Sequence, residues 1–209
     1  AEIGRKRLAF NELLYLELKS QMRKLAWNKN EVAHKINIDN LLMNRFIGRL
    51  PFKLTNSQET VIHEILEDLR GSSPMNRLLE GDVGSGKTVV AAAGIFASFA
   101  SGYQSVLMAP TQILALQHYE TLKKIFSGFN MRVSLLTSAA KKVEIGRSDV
   151  FIGTHSLIHD KISFDNVAFV VIDEQHRFGV EQRKHLIKKS GTPHVLTMTA
   201  TPIPRTIAL

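Results

Sequence analysis

The chain contains no cysteine, which excludes a disulfide framework and any thiolate-held metal and suits a reducing compartment. Long hydrophobic runs are missing too. The longest stretch free of charged or strongly polar side chains, Val89 to Ala100 with one serine in it, is too short to cross a bilayer. No signal peptide is visible. The eight histidines show no metal-ligand spacing, and the single tryptophan, Trp27, reads as a buried anchor rather than a platform for stacking bases.

What is present is the balance of a soluble globular protein, 44% hydrophobic and 22% charged over 209 residues. That length holds one α/β domain and an appendage. The net charge is +8, and residues 1–50 carry ten Lys/Arg against five Asp/Glu, so five of the eight excess charges lie in the first quarter. A polyanion such as nucleic acid is the natural partner for that charge.

The chain is organised around Gly81-Asp82-Val83-Gly84-Ser85-Gly86-Lys87-Thr88. The spacing fits a phosphate loop, whose glycines let backbone N–H groups close around nucleotide phosphates where a Cβ would collide. Lys87 then reaches the β- and γ-phosphates, and the Thr88 hydroxyl is placed to ligate Mg2+. A glycine-rich linker is the competing reading, and context decides against it. Met75 to Leu79 predicts a strand leading in, and Val89 to Ala100 predicts a helix leading out.

Upstream, Phe10, Leu14, Leu18, Met22 and Leu25 lie three or four apart and predict a helix over 7–24 whose apolar stripe packs. A short helix follows around Leu41 to Ile47. The pattern changes near Leu50, where we place a domain boundary: 1–49 as a helical extension, 50–209 as a nucleotide-binding lobe. Asn56 or Ser57 starts a helix carrying Val61, Ile62, Ile65 and Leu69. Downstream, short apolar runs at 105–108, 133–136, 150–152, 168–172 and 195–198 alternate with helical stretches such as 112–125. That rhythm predicts βαβ units, a mainly parallel sheet with helices on both faces, and ligands beyond the carboxyl ends of the strands.

At one such end the run Ala168 to Ile172 stops at Asp173-Glu174-Gln175-His176. Adjacent carboxylates there are costly unless a cation meets them. Asp173 suits Mg2+, and Glu174 suits orienting and deprotonating an attacking water. Phe52, Leu54, Thr55 and Gln58 precede the loop, and a Gln amide offers the donor and acceptor that complement adenine. A GTPase reading fails, because Asn28-Lys29-Asn30-Glu31 lies upstream of the loop, ends in Glu and follows no strand.

Together with Ala109-Pro110-Thr111, Gly153-Thr154-His155 and Thr199-Ala200-Thr201-Pro202-Ile203-Pro204-Arg205, these segments resemble the successive motifs of superfamily 2 helicases. Within that superfamily they are most similar to the RecG family of bacterial ATP-dependent DNA helicases, which remodel stalled replication forks and branched DNA. The resemblance implies a RecA-like lobe that binds ATP and Mg2+. Phe52 and Gln58 would take adenine, Gly81, Gly84, Ser85, Gly86, Lys87 and Thr88 the phosphates, and Thr88 and Asp173 the metal. Lys87, Asp173 and Glu174 would be catalytic, Thr111, Thr154 and His155 would touch the DNA backbone, and Gln175, His176, Thr199 and Thr201 would couple nucleotide state to DNA movement. Arg205 is given no role.

The family also has a second RecA-like lobe with an arginine finger, and an upstream DNA-binding wedge, which this sequence lacks; we expect a fragment of a monomeric bacterial cytoplasmic enzyme. The connection 137–149 looks about ten residues short for the family. Three alternatives stay open: a transcription-repair coupling translocase, a translocase on double-stranded RNA, and a nucleotide-binding module that does no chemistry.

Overall fold

The apolar runs of the sheet's interior become strands buried on both faces, the situation that favours parallel pairing, while the edge strand β1 has no buried residue. The computed structural model describes residues 2–28, 32, 34–137, 141–142, 148–158, 164–174 and 179–200. Its strands are β1 (Asn76–Glu80), β2 (Gln104–Met108), β3 (Val133–Leu136), β4 (Lys141–Lys142), β5 (Val150–Gly153), β6 (Val167–Asp173) and β7 (His194–Thr199). They form one sheet in the order β1-β7-β6-β2-β5-β3-β4. Every pairing is parallel except that of the two-residue β4 against β3. This is the predicted mainly parallel α/β architecture.

The helices are α1 (Glu2–Asn28), α2 (Asn40–Gly48), α3 (Asn56–Leu69), α4 (Lys87–Ala100), α5 (Gln112–Ile125) and α6 (Val180–Lys189), with a 3-10 turn at His155–Ile158. Residues of α2, α3, α4 and α5 share one core with Ala168, Phe169 and Val171 of β6. On the other face Val167, Val170 and Ile172 pack with Leu157, Leu186 and Trp27. From Phe169 onward the period-two alternation of a strand assigns each face of β6 its own helices, and a register shift against β2 interrupts it at Ala168. Ten of the fourteen α4 residues are buried, and Gly94 is there because a Cβ would come within 2.7 Å of the Phe169 ring.

The core does not stop at Leu50. Phe46 of α2 stacks on Phe96 of α4 with centroids 4.5 Å apart, and Ile36 and Met43 belong to the same buried cluster. The stripe on α1 is a correction. Phe10, Leu14, Leu18, Met22 and Leu25 are 45–70% exposed, and among the described α1 residues only Trp27 joins a core cluster. Helical spacing reveals that one side is apolar and is silent on what that side meets. Trp27 is the expected anchor: its Nε1–H donates to Pro74 O at 2.7 Å.

Two links tie β1 and the residue before it to their neighbours. Arg77 of β1 pairs with Glu64 (2.7 Å) and with Asp68, both on α3. His194, fully buried at the start of β7, accepts the Met75 N–H at Nδ1 (3.1 Å), while its Nε2 finds no partner among the described residues. Burial lowers its pKa to about 4, with Asp68 opposing. The folded value lies below the unfolded one, so the stability is present above pH ~6.5 and is lost as pH falls toward 4. Urea unfolding at pH 7 and 4.5 should show the natural chain losing about 2.5 kcal/mol more than His194→Asn, which keeps an acceptor for Met75. Equal losses would contradict this.

Candidate functional site

Parallel register decides where the motifs emerge. Glu80, the last residue of β1, pairs with Thr199 of β7, and Asp173, the last of β6, pairs with Met198 of β7. The glycine loop after β1 and the acidic pair at the end of β6 therefore leave the same carboxyl edge, one strand apart. Strand spacing puts the two exits about 10 Å from each other.

The loop is closed by its own backbone. Gly81 N–H donates to Thr199 O (3.2 Å) and Ser85 N–H to Asp82 O (3.1 Å). Gly84 and Gly86 take φ of +84° and +87°, a region that side chains rarely adopt, and a Cβ on Gly86 would also lie 2.3 Å from Gln58 Nε2. α4 then opens at Lys87 with no side-chain cap on its first N–H groups, the arrangement that favours an anion. The Lys87 ammonium donates to Gly81 O (2.6 Å) and Asp82 O (2.9 Å), held against the loop.

Gln58 connects that loop to α3. It accepts the Thr55 N–H at Oε1 (3.0 Å), completing a capping box with the Thr55 hydroxyl. Its Nε2 donates to Ser85 O (2.8 Å). The donor and acceptor expected to face adenine are both engaged by the protein, so Gln58 also fixes the loop. Beside it lies a cavity of about 440 Å³ lined by Phe52, Gln58, Gly84, Gly86, Thr88 and Lys124. A larger hollow, about 630 Å³ between α2 and α3, is lined by Leu54 but by neither Phe52, Gln58 nor any residue of the glycine loop, and the motifs, not the volume, single out the smaller one.

At the acidic end Asp173 is 7% exposed. It follows Phe169 and Val171 on the face toward α5, where His118 Nε2 lies 2.8 Å from its Oδ2. Glu174 turns out of the strand with φ of +50°, an unusual backbone state for a non-glycine residue that is common at functional sites. Its N–H donates to Met198 O (2.9 Å), and its carboxylate accepts the Ala200 N–H (3.1 Å) and the Thr199 hydroxyl (3.4 Å). The structure thus joins Glu174 to Thr199, two residues whose roles were inferred separately.

Among the described residues no group of three or more His, Cys, Asp or Glu could hold a metal. Thr88 and Asp173 remain as hard oxygen donors, and such a pair suits Mg2+, which takes one or two protein oxygens and fills its sphere with phosphates and water. Of the DNA-facing candidates, Thr111 is exposed and caps α5 through Leu114 N–H (3.2 Å), and His155 is exposed. Thr154 differs from these two. It is 2% exposed with its hydroxyl 3.1 Å from Ser156 Oγ, because it follows directly on buried β5. Gln175, His176, Thr201 and Arg205 lie outside the described residues, as do 138–140 and 143–147 of the short connection. His118 was not singled out from sequence, since a lone histidine within an amphipathic helix gives no sign of a partner 55 positions away.

A family model described as DEAD/DEAH box helicase matches residues 55–209. The "ATP-dependent DNA helicase RecG" of Synechocystis sp. is 47% identical over 216 residues, covering 99% of this chain and 26% of that protein. RecG of Aquifex aeolicus is 48% identical over 219 residues, covering 100% of this chain and 28% of that protein. The solved structure of RecG bound to a three-way DNA junction superposes with a TM-score of 0.83 at 44% identity, over 98% of this chain and 28% of that one. The chain thus spans roughly a quarter to a third of the length of the curated relatives it matches. The Aquifex alignment is ten positions longer than the 209 residues it covers, so this chain is gapped relative to that protein.

Proposed function

Because the chain belongs to the DEAD/DEAH box helicase family, we propose that it is the ATP-binding motor lobe of a DNA helicase of the RecG kind, which couples ATP hydrolysis to the remodelling of branched DNA. The observation that carries this is the register that sends the phosphate loop and Asp173-Glu174 to one sheet edge. Residues 50–209 carry the nucleotide site, 1–49 are a helical extension whose α2 packs into the same core, and the full-length protein adds a second lobe and a DNA-binding wedge.

The geometry supports the following roles. Phe52 and Gln58 flank the adenine cavity, and the amides of Gly81, Gly84, Ser85 and Gly86 surround the phosphates. On binding, Lys87 exchanges two neutral carbonyls for charged phosphate oxygens, a stronger pairing. Thr88 and Asp173 would hold Mg2+, which would supply positive charge to neutralise the phosphates. Glu174, oriented by the Ala200 N–H and the Thr199 hydroxyl, takes the proton of the attacking water. Thr199 lets β7 report the state of Glu174, and we assign it with Gln175, His176 and Thr201 to coupling. Thr111 and His155 contact the DNA backbone as sequence-independent phosphate partners; Thr154 holds the turn that presents His155.

The test is competition. Full-length protein at a stated salt concentration should bind a three-way DNA junction, and have its ATP hydrolysis stimulated by it, in the presence of excess RNA duplex. Displacement by RNA duplex would transfer the assignment to an RNA translocase.

A further inference from the structure

We propose that His118 is a positioning residue for the metal site: its Nε2–H holds Asp173 Oδ2 and leaves the other carboxylate oxygen to ligate Mg2+. This rests on the ATPase reading above and adds a residue outside every helicase motif of the chain.

Both partners are buried, His118 at 8% and Asp173 at 7% exposed, with Nε2 2.8 Å from Oδ2. A carboxylate accepts only, so the imidazole nitrogen facing it carries the proton. Asp173 ends a strand whose seven residues are all buried, where an anion without a hydrogen-bond donor is costly. Without Mg2+ the bond from His118 offsets part of that cost. With Mg2+ the bond fixes which oxygen faces the ion. Partners of this kind orient carboxylate ligands and typically change metal affinity by about 10–100-fold. His118 is well placed to be rigid, because Ala115 and Leu122, one turn before it and one turn after, are fully buried in the core.

The experiment separates metal from nucleotide. Binding of a fluorescent ADP to full-length protein is measured in EDTA and then titrated with Mg2+. For His118→Leu, which keeps bulk and removes the donor, affinity in EDTA should match the natural protein, while the Mg2+ midpoint rises about 10-fold or more. His118→Gln, whose amide N–H can replace Nε2–H, should restore the midpoint to within about three-fold. An unchanged midpoint in His118→Leu, or Gln as impaired as Leu, overturns the proposal. If His118→Leu does not fold, the imidazole nitrogen resonance of His118 in the natural protein decides: it should move when Mg2+ is added to the ADP complex, and no movement overturns the assignment. Failure of the ATPase reading would look different, as a natural protein with no Mg2+-dependent nucleotide binding at all.

Discussion

Glu174→Gln should lower ATP hydrolysis by the full-length protein about 10²–10⁴-fold while leaving ATP affinity within a few-fold of the natural value. The substitution is close to isosteric. The Gln side-chain oxygen still accepts the Ala200 N–H that now meets Glu174 Oε1, and its amide N–H can donate to the Thr199 hydroxyl that now donates to Oε2, so the turn at φ of +50° keeps two partners. What is lost is the ability to take a proton. Stopped assays of phosphate release, with a fluorescent ATP to measure binding, check both halves. Undiminished hydrolysis would favour a nucleotide-binding module with no chemistry of its own, and loss of binding together with hydrolysis would make Glu174 a structural residue.

The second large effect concerns the second lobe proposed for the full-length protein. The described site gathers a glycine cradle, one lysine held against it, two carboxylates and a threonine hydroxyl at one edge of one sheet. An arginine finger supplied by a second lobe is worth about 10³–10⁵ in rate. The 209 residues alone should therefore bind ATP weakly and hydrolyse it slower than the full-length protein by about that factor, with no stimulation by DNA. The comparison is a steady-state assay of both forms with and without junction DNA. DNA-stimulated turnover by the lobe alone at the rate of the full-length protein would show that a second lobe is not needed.

Much of the fold was legible because local and global signals agree. Helix α5 begins and ends where its pattern predicted, since Thr111 caps it and Leu114, Ala115 and Leu122 carry its inward face. Strand β6 was visible as an unbroken apolar run because both of its faces are buried. The loop and the acidic pair were legible as spaced residue types, and topology then brought them to one edge. Burial against a specific neighbour was not legible. The α1 stripe has the spacing of a packed helix and is exposed, Thr154 has the residue type of a phosphate contact and is buried, and His118 meets Asp173 only once α5 lies over β6. Gln58 was read for its amide, but its engagement with Ser85 depends on where the loop folds back.

The most direct measurement is the electron paramagnetic resonance of Mn2+ added to the nucleotide-bound full-length protein. The account predicts one nucleotide-dependent ion per chain, weakened in both Thr88→Ala and Asp173→Asn, by about 10-fold or more for a lost ligand. An ion that Thr88→Ala releases and Asp173→Asn leaves untouched would mean that the strand end and the glycine loop serve different sites.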